Sequence, residues 1–477
     1  MDILALIAGF GLPWALGASL LVAVKPRPST WTEPGEIAWV LGCGWFVGAF
    51  LLTLWMRVLS AVGVHFGTAA IAAPLTAVTG ALAWLAWRRT GAELVPALRR
   101  WPGALAGRDL DNRRRAFWLA LLVWLALRFA LLLGEVLRRP LYPWDAWTQW
   151  ATKAKVWFEL RTMAPFVNAS DWLQATTPGV YFDVAPHYPA TVPLTQVWGA
   201  TLLGRWDDAL VNVPWWLTGV AFGFALYGFF ARQRFGALTA LVGTWLALSL
   251  PILDVHIALA GYADLAMATY FTVAVLATFD WVRTRDWLDG ALALLLLCAC
   301  AVIKNPGKIW VATLVPGLIV ALFPRYGIRI AAACLGGAAA LGMIAASSGI
   351  VLLGYRLHLD VTFPARGLAD AYFEFGNWHL LWYGAVAVAV LCRRELLSRE
   401  VAPLTFVVTA GLMFLFFGFS FSNASQWVED QTTVNRATLH LAPLIIVWML
   451  LAFRAWQSKR SAPPPLPAAE AGAKAGG

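Results

Sequence analysis

The stretch ILALIAGFGLPWALGASLLVAV, residues 3–24, is uncharged throughout and almost entirely apolar. A helix of roughly 20 such residues is long enough to cross the hydrocarbon core of a bilayer. The stretch is similar in hydrophobicity to a secretory signal peptide, but no basic residues precede it. We therefore predict that it is a membrane helix of the working protein.

The composition extends this interpretation to the whole chain. Of its 477 residues, 60% are hydrophobic and only 13% are charged, and the mean hydropathy is +0.68. A soluble protein of this length could not cover so much apolar surface, so we predict an all-α, polytopic membrane protein. The formal charge of +10 comes mostly from arginines in short loops, which set topology and do not indicate nucleic-acid binding. The five cysteines indicate neither a disulfide framework nor a metal site.

Apolar runs of suitable length recur along the chain. Thirteen membrane helices are predicted, near residues 3–24, 37–59, 68–87, 116–134, 209–231, 237–253, 262–282, 288–303, 308–323, 328–353, 378–392, 402–422 and 437–456. A short stretch with two prolines, 189–205, is predicted to lie at the surface or to re-enter the membrane without crossing it.

Basic loops set the predicted orientation. Residues 88–115 carry eight arginines against three acids, so this loop is expected in the cytoplasm. The alternation then places the N-terminus outside and the C-terminus in the cytoplasm. We predict three parts: a three-helix module with the basic loop (1–115), a membrane core (116–456) and a disordered cytoplasmic tail (457–477).

The first outer loop, 135–208, contains the stretch LYPWDAWTQWATKAKVWFE, residues 141–159. Its tryptophans suit a membrane–water interface, and its lysines can reach lipid phosphates. This interfacial reading does not explain Asp145, which lies between Trp144 and Trp147. Asp145 either caps the following helix or takes part in chemistry. The residue type alone does not decide between the two.

Other polar residues fall in segments predicted on the same outer side. His187 precedes a Tyr-Pro pair, and His256 and Asp264 lie near the start of a span, where an intramembrane carboxylate indicates function. Lys304 and Arg436 stand at two further outer helix ends, where each could either extend to the interface or bind phosphate. Together these residues have the chemistry needed to handle a lipid phosphate at one membrane face.

An ordered set of motifs over residues 116–456 resembles the GT-C superfamily of polyprenyl-phosphate-sugar-dependent glycosyltransferases, which includes protein O-mannosyltransferases and lipid A aminoarabinose transferases. The motifs are PWDAW (143–147), HYPATVPLTQVWGATLLGRWDDALVNVPWW (187–216), GYADLAMATYF (261–271), IKNPG (303–307) and VNRATLHLAPL (434–444). The chain departs from several relatives in having Ala146 where an Asp-Glu pair would continue, and in its three extra N-terminal spans.

The resemblance implies a GT-C-like core with juxtamembrane helices on the outer face, and an inverting transfer of a sugar from a polyprenyl phosphate. Asp145 would be the general base, and Lys304 and Arg436 would bind the donor phosphate. The residues that would orient the substrates are Asp264, His256, His187, Trp144 and Trp147. The resemblance requires no cofactor and leaves a divalent cation open.

The implied partners are a polyprenyl-phosphate-linked sugar, an acceptor that is a glycan, lipid or protein, and membrane lipids, with no nucleic acid. The implied location is a bacterial-type inner membrane. The main alternative is a transporter or lipid flippase in which Asp145, Asp264 and Lys304 line a translocation path. A purely structural membrane protein is a third alternative, for which Asp145→Asn would change nothing measurable.

Overall fold

The computed structural model describes residues 2–25, 31, 35–352, 355–359 and 364–460, and within them the protein is nearly all-α. The predicted tail from residue 461 onward lies outside the described residues, whereas residues 457–460 are helical. The strands form two small pairs. Strands β1 (Phe166–Val167) and β2 (Tyr181–Phe182) are parallel, and β3 (Val351–Leu352) and β4 (Tyr355–Arg356) are antiparallel.

The chain begins with four long helices and continues through a loop of shorter ones. The long helices are α1 (Asp2–Val24), α2 (Glu36–Ala61), α3 (Thr68–Leu105) and α4 (Asn112–Arg138). The shorter ones are α5 (Ala151–Leu160), α6 (Ala169–Gln174) and α7 (Thr191–Leu203), and the π-helical turn Ala146–Trp150 precedes α5.

The remaining helices form the rest of the bundle. They are α8 (Val213–Arg232), α9 (Ala237–Leu248), α10 (Pro251–Ala258), α11 (Asp264–Thr284), α12 (Trp287–Ile303), α13 (Gly307–Leu322), α14 (Gly327–Ser347), α15 (Ala365–Ala369), α16 (Leu381–Leu391), α17 (Ala402–Ser420), α18 (Gln426–Glu429), α19 (Thr433–Leu439) and α20 (Ala442–Arg460).

Within the described residues, eight helices are long and apolar enough to cross a membrane, or up to ten if each of two bent pairs counts as one span. The bent pairs are α9 with α10, at 64°, and α19 with α20, at 47°. Helices α12, α13 and α16 are apolar but shorter, at 17, 16 and 11 residues. Each predicted span therefore overlaps a helix or a broken helix, although the predicted span 328–353 runs past the end of α14 at Ser347 to β3. The total of thirteen crossings goes beyond what these lengths establish.

The basic segment 88–115 is not the loop that the charge pattern predicts. Helix α3 continues through it to Leu105, and α4 begins at Asn112, where the Asp111 carboxylate accepts a bond from the Arg114 backbone N–H at 3.0 Å. Loss of hydrophobicity marks where a helix leaves the membrane, not where it ends, and arginine is a good helix former. The division of the chain into the parts 1–115 and 116–456 stays a prediction.

Close helix crossings hold the N-terminal helices to the bundle. Gly44 and Gly48 of α2 have the small-xxx-small spacing that lets helix backbones approach in membranes. A Cβ atom added at Gly48 would overlap the carbonyl oxygen of Pro13 in α1. On another side of α2, Gly42 lies against Ala225 of α8. Helix α2 is thus packed between α1 and α8.

Two short segments differ from their predicted surroundings. Lys153 of α5 is expected to reach for lipid phosphates, but it is 1% exposed and its Nζ lies 3.2 Å from Asp183 Oδ1. Nine of the thirteen residues of α7 are buried, so this helix is embedded in the protein and does not lie on its surface. Its position relative to the membrane stays a prediction.

Helix α11 is the most enclosed long helix, with 16 of its 21 residues buried. Near its C-terminal end, Asp280 accepts a hydrogen bond from Gln233 and lies 3.4 Å from the Arg232 Nε atom. Arg232 also contacts Asp289, at 3.0 Å, and Glu36, at 3.8 Å. This ionic cluster joins α2, α8, α11 and α12. A second cluster lies at the other end of α11.

Candidate functional site

Asp264, the first residue of α11, is at the centre of the second cluster and is 0% exposed. Its Oδ1 atom lies 2.5 Å from Lys304 Nζ and 2.9 Å from His440 Nε2. Its Oδ2 atom accepts bonds from Arg436 Nε at 3.0 Å and Nη2 at 2.9 Å. Both carboxylate oxygens are therefore saturated, and they hold two cations in place.

The side chains that contact Asp264 come from the ends of neighbouring helices. Lys304 follows α12, where Asn305-Pro306-Gly307 turns the chain into α13. Arg436 and His440 are four residues apart, so both side chains lie on the face of α19 and its extension that looks toward α11. Because a carboxylate only accepts hydrogen bonds, His440 donates from Nε2 to Asp264.

Asp145 joins this cluster through Arg436. Its Oδ2 atom lies 2.6 Å from Arg436 Nη2, and its side chain is 24% exposed, against 0% for Asp264. Asp145 occupies the N-cap position of the π-helical turn but makes no side-chain capping bond. The capping alternative considered from the sequence is therefore not realised. The carboxylate is directed at the arginine, and part of it faces outward.

Aromatic rings surround the shared arginine and the exposed carboxylate. The Arg436 guanidinium lies 4.0 Å from the centre of the Tyr262 ring, an arrangement that stabilises a cation. Trp144 and Trp147 form an edge-to-face pair with ring centres 5.1 Å apart, and they are 65% and 47% exposed. Such exposed rings beside a carboxylate can stack on a sugar or lie among lipid headgroups.

The two predicted histidines have different positions. His256 is 3% exposed, its Nδ1 atom lies 2.8 Å from the Ile252 carbonyl oxygen, and its ring centre lies 5.7 Å from that of Tyr262. It therefore supports the cluster from behind Tyr262. His187 lies on the exposed surface and makes none of the contacts that join the other residues.

Burial changes the acidity of groups in the turns around the site. It lowers the pKa of Lys304, and the neighbouring Asp264 carboxylate acts against this change. It raises the pKa of Tyr262, against the effect of the Arg436 guanidinium. The Asp264 carboxylate thus helps Lys304 keep its charge in a poorly hydrated setting.

The geometry does not favour a metal ion at this place. Within the described residues, no group of three or more His, Cys, Asp or Glu side chains is arranged to hold one. Asp264 has no free oxygen, and the Asp145 carboxylate faces an arginine. The described residues therefore offer no preformed set of metal ligands at this place, and the divalent cation that the sequence left open stays a prediction.

The structure thus brings Asp145, Asp264, Lys304 and Arg436 into one cluster, with His256 behind it and His187 outside it. Sequence reasoning assigned no role to His440 or Tyr262, which complete the cluster. The four-residue spacing from Arg436 was a usable signal for His440. Tyr262 gave no comparable signal, because its contact with the arginine depends on the tertiary fold.

Comparison of the chain with known protein families, with curated proteins and with solved structures gives no match. The resemblance to GT-C enzymes rests on sequence motifs alone, and what it implies about activity stays a prediction.

Proposed function

We propose that the protein is a membrane glycosyltransferase that moves a sugar from a polyprenyl-phosphate donor to an acceptor at the non-cytoplasmic face. One observation carries the proposal: a single guanidinium, Arg436, is shared between a buried carboxylate and a partly exposed one, with a lysine beside it. A fixed pair of cations next to an accessible carboxylate suits transfer from a phosphate leaving group.

Each step of the reaction has a residue suited to it. Asp145 accepts the proton of the acceptor hydroxyl, whose oxygen attacks the anomeric carbon of the sugar from the side opposite the phosphate. The bond from that carbon to the phosphate oxygen breaks, so the configuration inverts. Lys304 and Arg436 stabilise the negative charge on the departing polyprenyl phosphate.

The contacts at the cluster leave donors for a ligand. Lys304 gives one of its three N–H bonds to Asp264, and Arg436 contacts both carboxylates through Nε and Nη2. The buried Asp264 holds Lys304 and Arg436 in place and acts on a substrate only through these two cations. Trp144 and Trp147 are placed to orient the sugar, and His256 supports the cluster through Tyr262. Assigning His187 to substrate orientation rests on the sequence resemblance.

A direct assay tests the proposal. The purified protein is incubated with a polyprenyl-phosphate sugar, and the release of polyprenyl phosphate is measured for the wild type, Asp145→Asn and Asp171→Asn. Asp171 is an exposed carboxylate in α6, so it is a matched control. We expect at least a 100-fold loss of rate for Asp145→Asn, typical of losing a general base, and none for the control.

Two results would overturn parts of this proposal. A wild-type protein that neither binds the lipid nor releases polyprenyl phosphate would exclude the reaction class. Normal turnover by Asp145→Asn would remove the general-base role from that residue while leaving the proposed reaction class in place.

The proposed setting is a bacterial-type inner membrane, with the N-terminus outside and the C-terminus in the cytoplasm.

A second candidate is a transporter or lipid flippase, and the broken helices favour it. Helices α10 and α19, one from each bent pair, pack against each other and carry His256 and Arg436. Discontinuous helices that meet at charged residues are typical of transporter binding sites. Proteoliposomes separate the two functions, because a flippase moves a fluorescent lipid phosphate between leaflets without cleaving the glycosidic bond.

A further inference from the structure

Arg57, near the end of α2, is a half-buried cation outside the cluster described above. Its Nη2 atom donates to Thr191 Oγ1 at 2.9 Å, and Thr191 in turn donates to the carbonyl oxygen of Val302 at 2.6 Å. The Nε atom of Arg57 is buried and has no hydrogen-bond partner in the structure. Arg57 therefore lies beside the last turn of α12, which Lys304 follows.

Arg57 differs from six other enclosed cations of the described residues. A carboxylate lies within ion-pair distance of each of Lys25, Arg128, Lys153, Arg232, Lys304 and Arg436. In the part of the chain that the structure describes, no carboxylate lies within that distance of Arg57. A partly buried charge is costly unless it is paired, so an external anion would relieve this site.

An apolar groove lies next to Thr191, the residue that Arg57 contacts. It is open on one side and lies between α2, α7, α8 and α11, and Ile303 of α12 also lines it. Trp45 and Ala49 line it, and Arg57 continues their stripe on α2 because the three are spaced by four and eight residues. Arg57 thus stands about 12 Å beyond Ala49 along the helix. Thr191 both lines the groove and binds Arg57.

We propose that this is a binding site for an anionic phospholipid, with the headgroup phosphate on Arg57 and one acyl chain in the groove. A free inorganic anion would satisfy the guanidinium but leave the groove without an occupant. An uncharged apolar molecule would fill the groove but leave the arginine unpaired. An amphiphile meets both requirements, and a membrane protein is surrounded by such molecules. The groove adjoins the proposed transfer site, because Leu265 and Ile303, which line it, are next to Asp264 and Lys304 in the chain, but the lipid proposal does not rest on the transfer reaction.

Native mass spectrometry of the full-length protein in detergent tests this. The probes are phosphatidylglycerol, a diacylglycerol with the same chains, and sodium phosphate alone. We expect phosphatidylglycerol to bind to the wild type at least about tenfold more tightly than diacylglycerol, since a charge-assisted contact is worth this much. Arg57→Gln should remove the difference, Arg57→Lys should keep part of it, and Lys155→Gln, an exposed cation of α5, should keep all of it.

A separate variant tests whether the groove takes part in lipid binding. Ala266→Phe places a ring among the lining side chains and should weaken phosphatidylglycerol binding severalfold without touching Arg57. Thermal unfolding of each variant shows whether it is folded. If Arg57→Gln does not fold, Arg57→Lys still tests the role of the guanidinium. Equal binding of phosphatidylglycerol and diacylglycerol by the wild type, or unchanged binding in folded Arg57→Gln, would overturn the proposal. Complete competition by sodium phosphate would also do so, because it would show an anion site without a lipid chain.

Discussion

At the scale of single residues, the two carboxylates that share Arg436 have opposite surroundings. Asp264 has no exposed surface and four hydrogen bonds, whereas Asp145 is partly exposed and contacts one guanidinium. The first is suited to hold cations, and the second is suited to meet a ligand. The two should therefore respond differently to the same conservative substitution.

We predict that Asp264→Asn destabilises the protein by about 3–5 kcal/mol, because it leaves Lys304 and Arg436 buried with too little negative charge. Asp145→Asn should cost about 1 kcal/mol or less, since Arg436 keeps its contact with Asp264. Thermal unfolding in a fixed detergent measures both. If the two variants unfold at the same temperature, the division of roles between these carboxylates is wrong.

The buried pair of Lys153 and Asp183 gives a pH-dependent prediction. Burial raises the pKa of Asp183, and the Lys153 ammonium acts against this. In Lys153→Met the folded-state pKa of Asp183 should rise further above its unfolded value of about 3.9. A raised folded-state pKa gives stability that is present at low pH and is lost as the pH rises through that pKa.

Lys153→Met should therefore be closer to the wild type in unfolding temperature at pH 5 than at pH 8, where the loss should approach about 3–5 kcal/mol. Lys155→Met, at an exposed position two residues away, serves as the control and should show no such difference. A Lys153→Met loss that is the same at both pH values would mean that Asp183 is not the group responsible.

Residue-level chemistry was partly predictable from the sequence. Asp145, Asp264, Lys304 and Arg436 stood out because charges are rare in this chain and each lies at the end of an apolar run. Their partner Tyr262 did not stand out, since it is an ordinary residue until the fold brings it to Arg436. Lys153 was misjudged because its burial depends on Asp183, thirty positions away.

At the scale of elements, hydrophobicity located the helices and missed their breaks. The predicted span 237–253 is interrupted between α9 and α10, where Pro251 follows Leu250 in an extended conformation. There Arg128 of α4 pairs with Asp254 and donates to the Ser249 carbonyl oxygen at 3.4 Å. Asp254 is therefore paired with a cation of a neighbouring helix. A sliding measure of hydrophobicity averages over such a break, because both halves are apolar.

The crossing of α1 and α2 depends on glycine, and we predict that Gly48→Ala destabilises the protein strongly. The added Cβ atom would meet the backbone of Pro13, which cannot move aside as a side chain would. Gly80→Ala in α3 is the matched control, because a Cβ atom there meets nothing within 4 Å. Its stability should stay within about 1 kcal/mol of the wild type. Equal effects in thermal unfolding would contradict this account of the crossing.

At the scale of the whole molecule, composition indicates a membrane protein, whereas the arginines only predict its orientation. We predict that a cysteine at Trp172 reacts with a membrane-impermeant maleimide in intact cells and that one at Arg99 reacts only after lysis. Both positions are exposed in the structure, and the variants are made in a chain whose native cysteines are replaced. The reverse labelling pattern would invert the proposed topology.

Helix α11 has a mechanical consequence for the whole bundle. Asp264 and Asp280, about 24 Å apart along it, are each fastened to neighbouring helices, one at either end. A slide of one turn, about 5.4 Å, would break both sets of bonds together. Helix α11 should therefore stay fixed along its axis, and its depth in the bilayer should not vary while the protein functions. Movement around a substrate would then occur in the loop that carries Asp145. This loop is linked to α11 through Arg436, which pairs with both Asp145 and Asp264.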